Sequence, residues 1–89
     1  MKIAFSSRAW EEYQFWISQP DTLARLNALI RECMRTPSTG TGKPEPLRGD
    51  FQGWWSRRIT IEHRLVYRIT GKPPDQALEI AQCRFHYDK

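Results

Sequence analysis

The 89-residue sequence predicts an α+β fold, with two N-terminal helices packed on one face of a sheet whose other face stays open. Three observations predict it. Apolar residues recur at helical spacing in two adjacent segments within residues 7–35, and the pattern changes to a period of two after Pro46. A single short strand precedes the helices, so the order is strand, two helices, then a run of strands. The length suits one domain, residues 1–89, and no internal repeat or linker divides it.

Lys2 to Phe5 alternates weakly and is read as the first strand. Ser6 is the expected N-cap of the first helix, about Ser7 to Ser18, with Phe5 and Trp10 forming a hydrophobic staple. Trp10, Tyr13 and Ile17 mark its core stripe, widened by Phe15 and Trp16. Pro20-Asp21 restarts the chain with Asp21 as the expected cap. Leu23, Leu26, Leu29, Ile30 and Cys33 then line a second helix, about Thr22 to Arg35, which Pro37 stops. The short connection makes the two helices an antiparallel hairpin. Ser38 to Pro46 is rich in Gly and Pro and reads as loop. Strands follow at Trp54 to Ile61, His63 to Thr70 and Ala77 to Phe85, with a turn at Gly71-Lys72-Pro73-Pro74-Asp75 before the last. In the middle one, Leu65, Tyr67 and Ile69 are assigned to the helices and Arg64, Val66 and Arg68 to the open face.

Composition narrows the function classes. Apolar residues make up 39% of the chain, and four Trp, four Phe and three Tyr enlarge its one core. No apolar run reaches ~18 residues, and Met1-Lys2-Ile3-Ala4-Phe5 passes directly into polar Ser6-Ser7-Arg8, so neither a membrane span nor a signal peptide is expected and the default location is cytoplasmic. Cys33 and Cys83 lie in apolar contexts and are expected as buried, reduced thiols. No Cys or His spacing suits a metal, and no cofactor is implied. The net charge of +4 is concentrated: residues 31–68 hold eight basic against four acidic groups, while both flanks balance. A localised basic patch suits a polyanion.

Metal-free RNA cleavage needs a base for the 2′-hydroxyl, an acid for the departing 5′-oxygen, and cations for the developing phosphate charge. Glu45, between Pro44 and Pro46, is the candidate base, because the flanking prolines stiffen its backbone. His86 is the candidate acid, since imidazole titrates near neutrality. His63 is the competing candidate acid, but it falls at a turn and is expected instead to hydrogen-bond locally. Arg64 shares a face with Arg68, and Arg58 shares one with Trp54 and Ser56; guanidinium forks suit phosphate oxygens. Lys43, Arg57 and Arg58 are read as RNA-binding, with Trp54 or Tyr87 as a stacking surface for bases, while Trp55 fits the core equally well. The competing reading is a non-catalytic basic module, for instance a transcriptional co-regulator, which has no need of Glu45 in a proline clamp.

Four segments, Gly42-Lys43-Pro44-Glu45-Pro46-Leu47, Gly53-Trp54-Trp55-Ser56-Arg57-Arg58-Ile59-Thr60, Glu62-His63-Arg64-Leu65-Val66-Tyr67 and Cys83-Arg84-Phe85-His86-Tyr87, closely resemble the YoeB toxins of the RelE-like messenger-RNA interferases. Trp10, Tyr13, Trp16 and Arg35-Thr36-Pro37 extend the resemblance over nearly the whole chain. It implies a microbial-ribonuclease-like (RelE-like) fold, two helices on a twisted, mainly antiparallel sheet. It also implies the toxin of a type II toxin–antitoxin system, a metal-independent endoribonuclease that cuts mRNA in the ribosomal A site and so inhibits translation. Glu45 corresponds to the family's general base, Arg64 to its transition-state arginine, His86 to its general acid and Tyr87 to the adjacent tyrosine; Arg48 and Arg58 match phosphate-binding positions. Expected partners are the ribosome, mRNA, a YefM-type antitoxin, a second copy of the chain, and operator DNA only as the toxin–antitoxin complex. The chain continues past the tyrosine with Asp88-Lys89.

Overall fold

The structure, a computed structural model, describes residues 1–86. Strand β1 (Lys2–Phe5) leads into helices α1 (Ser7–Trp16) and α2 (Pro20–Arg35). Strand β2 (Glu45–Pro46), a 3-10 turn (Gly49–Phe51), β3 (Trp55–Arg58), β4 (Arg64–Thr70) and β5 (Ala77–Gln82) follow. The five strands form one sheet in the order β1-β5-β4-β3-β2; β1 runs parallel to β5 and every other pair is antiparallel. This is the predicted architecture, with one unforeseen element: the end of the loop, Glu45-Pro46, pairs with Ser56-Trp55 as an edge strand. Two residues are too few for an alternation to be visible in sequence.

Ser6 caps α1 as expected, its Oγ accepting from Ala9 N at 3.0 Å. The same hydroxyl donates to Ala81 O at 2.7 Å, which fixes the helix start to β5. The Phe5 and Trp10 rings meet edge to face at 5.7 Å, forming the staple. The core stripe of α1 departs from expectation. Ala9, Glu12 and Trp16 are buried, while Trp10 and Ile17 are 50% and 54% exposed. The buried face is turned by one position because Glu12 belongs to it: its carboxylate accepts from Cys83 N at 2.7 Å and pairs with Arg8 Nε at 2.8 Å. A charged side chain disguised the stripe.

Helix α2 starts two residues before the predicted position. Pro20 occupies its first turn behind Gln19, and Asp21 sits within that turn instead of capping it. Proline lacks the N–H that this position leaves unbonded, and the carboxylate complements the helix dipole. Its inner face is as read, with Leu26, Leu29, Ile30 and Cys33 buried and Leu23 packed against them. Tyr13 Oη donates to Asn27 Oδ1 at 2.8 Å and joins the two helices.

Leu65 and Tyr67 enter the core with Leu78, Ile80 and Cys83, and Ile69 packs against it. The opposite face of β4 is less open than expected, because Val66 is fully buried and Arg64 nearly so. Strands β3 and β5 end earlier than predicted, at Arg58 and Gln82. After β3 the chain turns through Thr60, whose Oγ1 accepts from Glu62 N and His63 N, each at 3.2 Å. After β5 it is held by side chains and by one backbone bond from Arg64 N to Phe85 O.

Burial raises both thiols, Cys33 to about 11 and Cys83 to about 12. Both are reduced and buried, as read from sequence. Since the thiolate is the nucleophile, the native protein at pH 7 is expected to resist a thiol-modifying reagent and to take up two equivalents on denaturation. Rapid native labelling would contradict this burial. Among the described residues, no helix is long and apolar enough to cross a membrane, and no three His, Cys, Asp or Glu side chains come together to hold a metal.

Candidate active site

The site begins with an arginine on the wrong face for RNA. Arg57 is 0% exposed. Its guanidinium has five N–H donors, and all are used within the fold. Nε donates to Tyr67 Oη at 3.0 Å, and Nη1 to Glu32 Oε1 at 2.5 Å and Thr41 O at 3.2 Å. Nη2 donates to Thr36 O and, at 2.8 Å, to Thr39 O. The assignment of Arg57 to RNA binding is therefore corrected: it is the post around which residues 36–41 are wound. Glu32 completes the post by accepting from Thr41 N at 2.7 Å. That bond, with the Thr41 hydroxyl and Arg57, holds the Glu32 carboxyl below its ordinary value against the opposing effect of burial.

The wound loop delivers Glu45. Gly42, at φ +87°, accepts from Arg58 N through its carbonyl at 2.7 Å. A Cβ there would lie 3.1 Å from Arg58 O and 3.2 Å from Arg57 Cβ. Only glycine combines that left-handed backbone with so close an approach. Gly42→Ala is expected to lower both the melting temperature and the activity of the folded protein, and an unchanged melting curve would count against this reading of the loop.

From there the sheet sets out two levels on its open face. Glu45 stands opposite Ser56, Ser56 opposite Val66, and Val66 opposite Gln82 through a register shift in the β4–β5 pairing. One level away, Arg58 stands directly opposite Arg64, with Lys43 just beyond Gly42. Like charges directly opposed across a sheet are destabilising, and an anion between them would relieve that repulsion. Arg64 is steadied by three bonds from Nη1, to Thr60 O, Ile61 O and His63 O at 3.0–3.2 Å. Lys43, Glu45, Arg48 and Arg58 are exposed. With two inter-strand spacings and one two-residue step between them, the Glu45 and Arg64 backbones lie roughly 12 Å apart across β3.

His86 reaches this face through backbone contacts. Arg64 N donates to Phe85 O at 3.0 Å, extending the pairing of β4 past the end of β5. Gln82 Nε2 donates to Arg84 O and His86 O, each at 3.4 Å. The structure thus sets Glu45, Arg58 and Arg64 on one sheet face and brings the His86 backbone beside Gln82, although 41 positions separate Glu45 from His86. Trp54 is half-buried beneath the Arg68 guanidinium, 4.2 Å from its ring centroid. It borders a groove of about 370 Å³ with Ala4, Phe5, Ser6, Glu79, Ile80 and Ala81. Tyr87 lies outside the described residues.

Sequence reasoning missed the supports. Glu12 and Trp16 hold Cys83, with Trp16 Nε1 donating to Cys83 O at 2.8 Å. His63 Nδ1 accepts from Phe85 N at 2.7 Å. For Glu12, the spacing from Ala9 and Trp16 was a usable signal. For His63, its bond to a residue 22 positions away left no local trace. Chemically, the face offers a carboxylate and paired guanidinium groups, with the backbone of a histidine beside it.

Comparison with known proteins shows the family and the fold. The family model for the YoeB-like toxin of bacterial type II toxin–antitoxin systems matches residues 5–87. The chain is similar to toxin YoeB of Escherichia coli strain K12, 47% identical over 88 residues, covering 98% of this chain and 100% of the relative. In structure it resembles the YoeB/ParE toxin from Agrobacterium tumefaciens, with a TM-score of 0.95 and 51% identity over 98% of this chain and 100% of that one. It also resembles Staphylococcus aureus YoeB in a heterotetrameric YoeB–YefM complex, with a TM-score of 0.85 and 36% identity over 98% of each chain.

Proposed function

The chain belongs to the YoeB-like toxins of bacterial type II toxin–antitoxin systems, and from that premise we propose that it is an endoribonuclease that cuts messenger RNA at the ribosomal A site and so inhibits translation. The observation that carries this reading is the pairing of two adjacent levels on one sheet face: Glu45 on one, and Arg58 opposite Arg64 on the other. Glu45 takes the proton from the 2′-hydroxyl, which attacks the neighbouring phosphorus. Arg64, with Arg58 beside it, neutralises the charge that builds on the phosphate oxygens. His86 gives a proton to the departing 5′-oxygen, leaving a 2′,3′-cyclic phosphate. No cofactor enters this scheme. Lys43 and Arg48 grip flanking phosphates, and the groove beside Trp54 suits a neighbouring nucleotide. Tyr87 contributes through its place next to His86.

Ribosome-bound mRNA as substrate places the protein in the cytoplasm. A YefM-type antitoxin is its neutralising partner, since a related YoeB forms a complex with YefM, and a segment that folds over the basic row would block it. A homodimer, and operator DNA bound only by the toxin–antitoxin complex, complete the set. The non-catalytic alternative relies on Arg57 as well as Arg58, and every Arg57 donor is already used inside the fold. The test maps mRNA ends in translating cells after induction of the wild type and of His86→Ala. Cuts at A-site codons with the wild type alone are expected. Equal toxicity of the parent, Glu45→Gln, Arg64→Ala and His86→Ala would sink the assignment.

A further inference from the structure

The segment that bears His86 leaves the sheet after Gln82 and is held by side chains from two other parts of the chain. Glu12 and Trp16 of α1 occupy the backbone N–H and C=O of Cys83. Two residues on, His63, in the turn between β3 and β4, takes the N–H of Phe85 on its Nδ1 at 2.7 Å, while Arg64 N takes the Phe85 carbonyl. Phe85 has φ +64°, a left-handed conformation that is unfavourable for a residue with a Cβ. The segment therefore needs outside support to keep its shape. The His63 ring is itself fixed, edge-on to Trp16 at 4.9 Å and tilted against Phe85 at 5.7 Å. An N–H donor at Nδ1 demands a lone pair there, so the ring is neutral with its proton on Nε2.

We propose that His63 is the positioning residue for His86: its neutral Nδ1 latches Phe85 and thereby sets where the next side chain meets the scissile phosphate. This rests on the cleavage reaction above. His63 touches no substrate in that scheme and acts through the backbone alone.

Protonation of His63 fills the lone pair and sets two donors against each other, so the latch opens in acid. The charged groups around the ring are Glu12 on α1, Glu62 beside it in the turn, Arg64 at the start of β4, and Arg84 on the latched segment. Burial lowers the imidazole most; Arg84 and Arg64 act in the same direction, and Glu62 and Glu12 oppose them. The folded value thus lies below the ordinary 6.5. The neutral form is favoured by folding, so the latch is intact above pH 6.5 and is lost as the pH falls through the lower, folded value.

The experiment compares the wild type, His63→Leu, which removes the acceptor, and His63→Asn, whose Oδ1 stands in for Nδ1. Amide exchange at Phe85 is expected to rise at least about tenfold in His63→Leu and to return towards the wild-type rate in His63→Asn. In single-codon cleavage assays, His63→Leu lowers kcat by about tenfold or more with KM nearly unchanged, as misplacement of a catalytic group does. His63→Asn regains kcat and loses the part of the acid fall-off that His63 titration contributes. Unchanged Phe85 exchange in His63→Leu overturns the proposal, as does faster exchange with unchanged kcat. Should His63→Leu fail to fold, the wild-type Phe85 amide resonance decides: it moves with a midpoint below pH 6.5, and a flat titration overturns the latch. A wild type that cuts no RNA overturns the cleavage reading and the catalytic half of this one, while the Phe85 exchange rates still decide the latch.

Discussion

Glu45→Gln and His86→Ala are each expected to lower the single-turnover rate of mRNA cleavage on the ribosome by about 10²–10⁴-fold, the range for loss of a positioned base or acid. Both residues are exposed, so neither change removes core packing, and the melting temperatures should stay close to that of the wild type. The effects should also fall short of multiplying in the double variant, because residues that act in one step are not additive. Arg58→Ala belongs to a different class. It should weaken RNA binding generally and reduce the logarithmic salt slope of binding by about 0.7, the share of one phosphate on a single strand. A Glu45→Gln enzyme retaining a rate within about tenfold of the parent would remove Glu45 from the role of base.

Arg57→Leu is the second large effect, and it acts through the fold. Glu32 is partly exposed, so the cost comes chiefly from the acceptors left unserved around the buried guanidinium, about 1–3 kcal/mol for each that stays out of water. In a chain of this size that lowers the melting temperature by more than about 10 °C. The destabilisation has a structural address: Thr36 O, Thr39 O, Thr41 O, Tyr67 Oη and Glu32 are all left without the donor that served them. At a temperature where the variant is still folded, its RNA binding should keep the wild-type salt slope, in contrast to Arg58→Ala. A pH dependence accompanies the same post. Thr41 N–H foremost, then the Thr41 hydroxyl and Arg57, hold the Glu32 carboxyl below 4.5 in the folded state. A depressed carboxylate stabilises above its unfolded value and loses that contribution as the pH falls through the folded one. Stability should therefore decline below about pH 4.5, and Glu32→Gln should flatten that decline in thermal melts recorded across the range. Arg57→Leu melting with the wild type would refute the role of the post.

Much of this molecule could be read locally. The Ser6 cap, the Phe5–Trp10 staple, the inner face of α2 and the alternation of Leu65, Tyr67 and Ile69 are decided by neighbours within a few residues. The four sequence motifs carried the family. Two errors had the same source. Arg57 alternates with Trp55 and Ile59 towards the core, as Arg58 alternates with Ser56 towards the open face, so the parity of β3 already assigned them to different sides. Glu12 likewise sits three residues from Ala9 and four from Trp16, on the buried stripe. In both places charge was taken as a sign of exposure, whereas burial of a charge needs only enough partners.

Other features had no local signature. The strand at Glu45-Pro46 exists only because Ser56 and Trp55 stand beside it. The opposition of Arg58 and Arg64 depends on the register between two strands, which the intervening turn closes through Thr60 and His63. His63 meets Phe85 only after the sheet has brought the turn and the chain's end together. By itself, then, the sequence determined the periodicities, the caps, the motifs and so the family. The tertiary structure alone decided which charges are structural and how the candidate acid is held. The physical reason is that periodicity is set by backbone geometry over a few residues, while a buried charge is tolerated or excluded by partners that arrive from elsewhere in the chain.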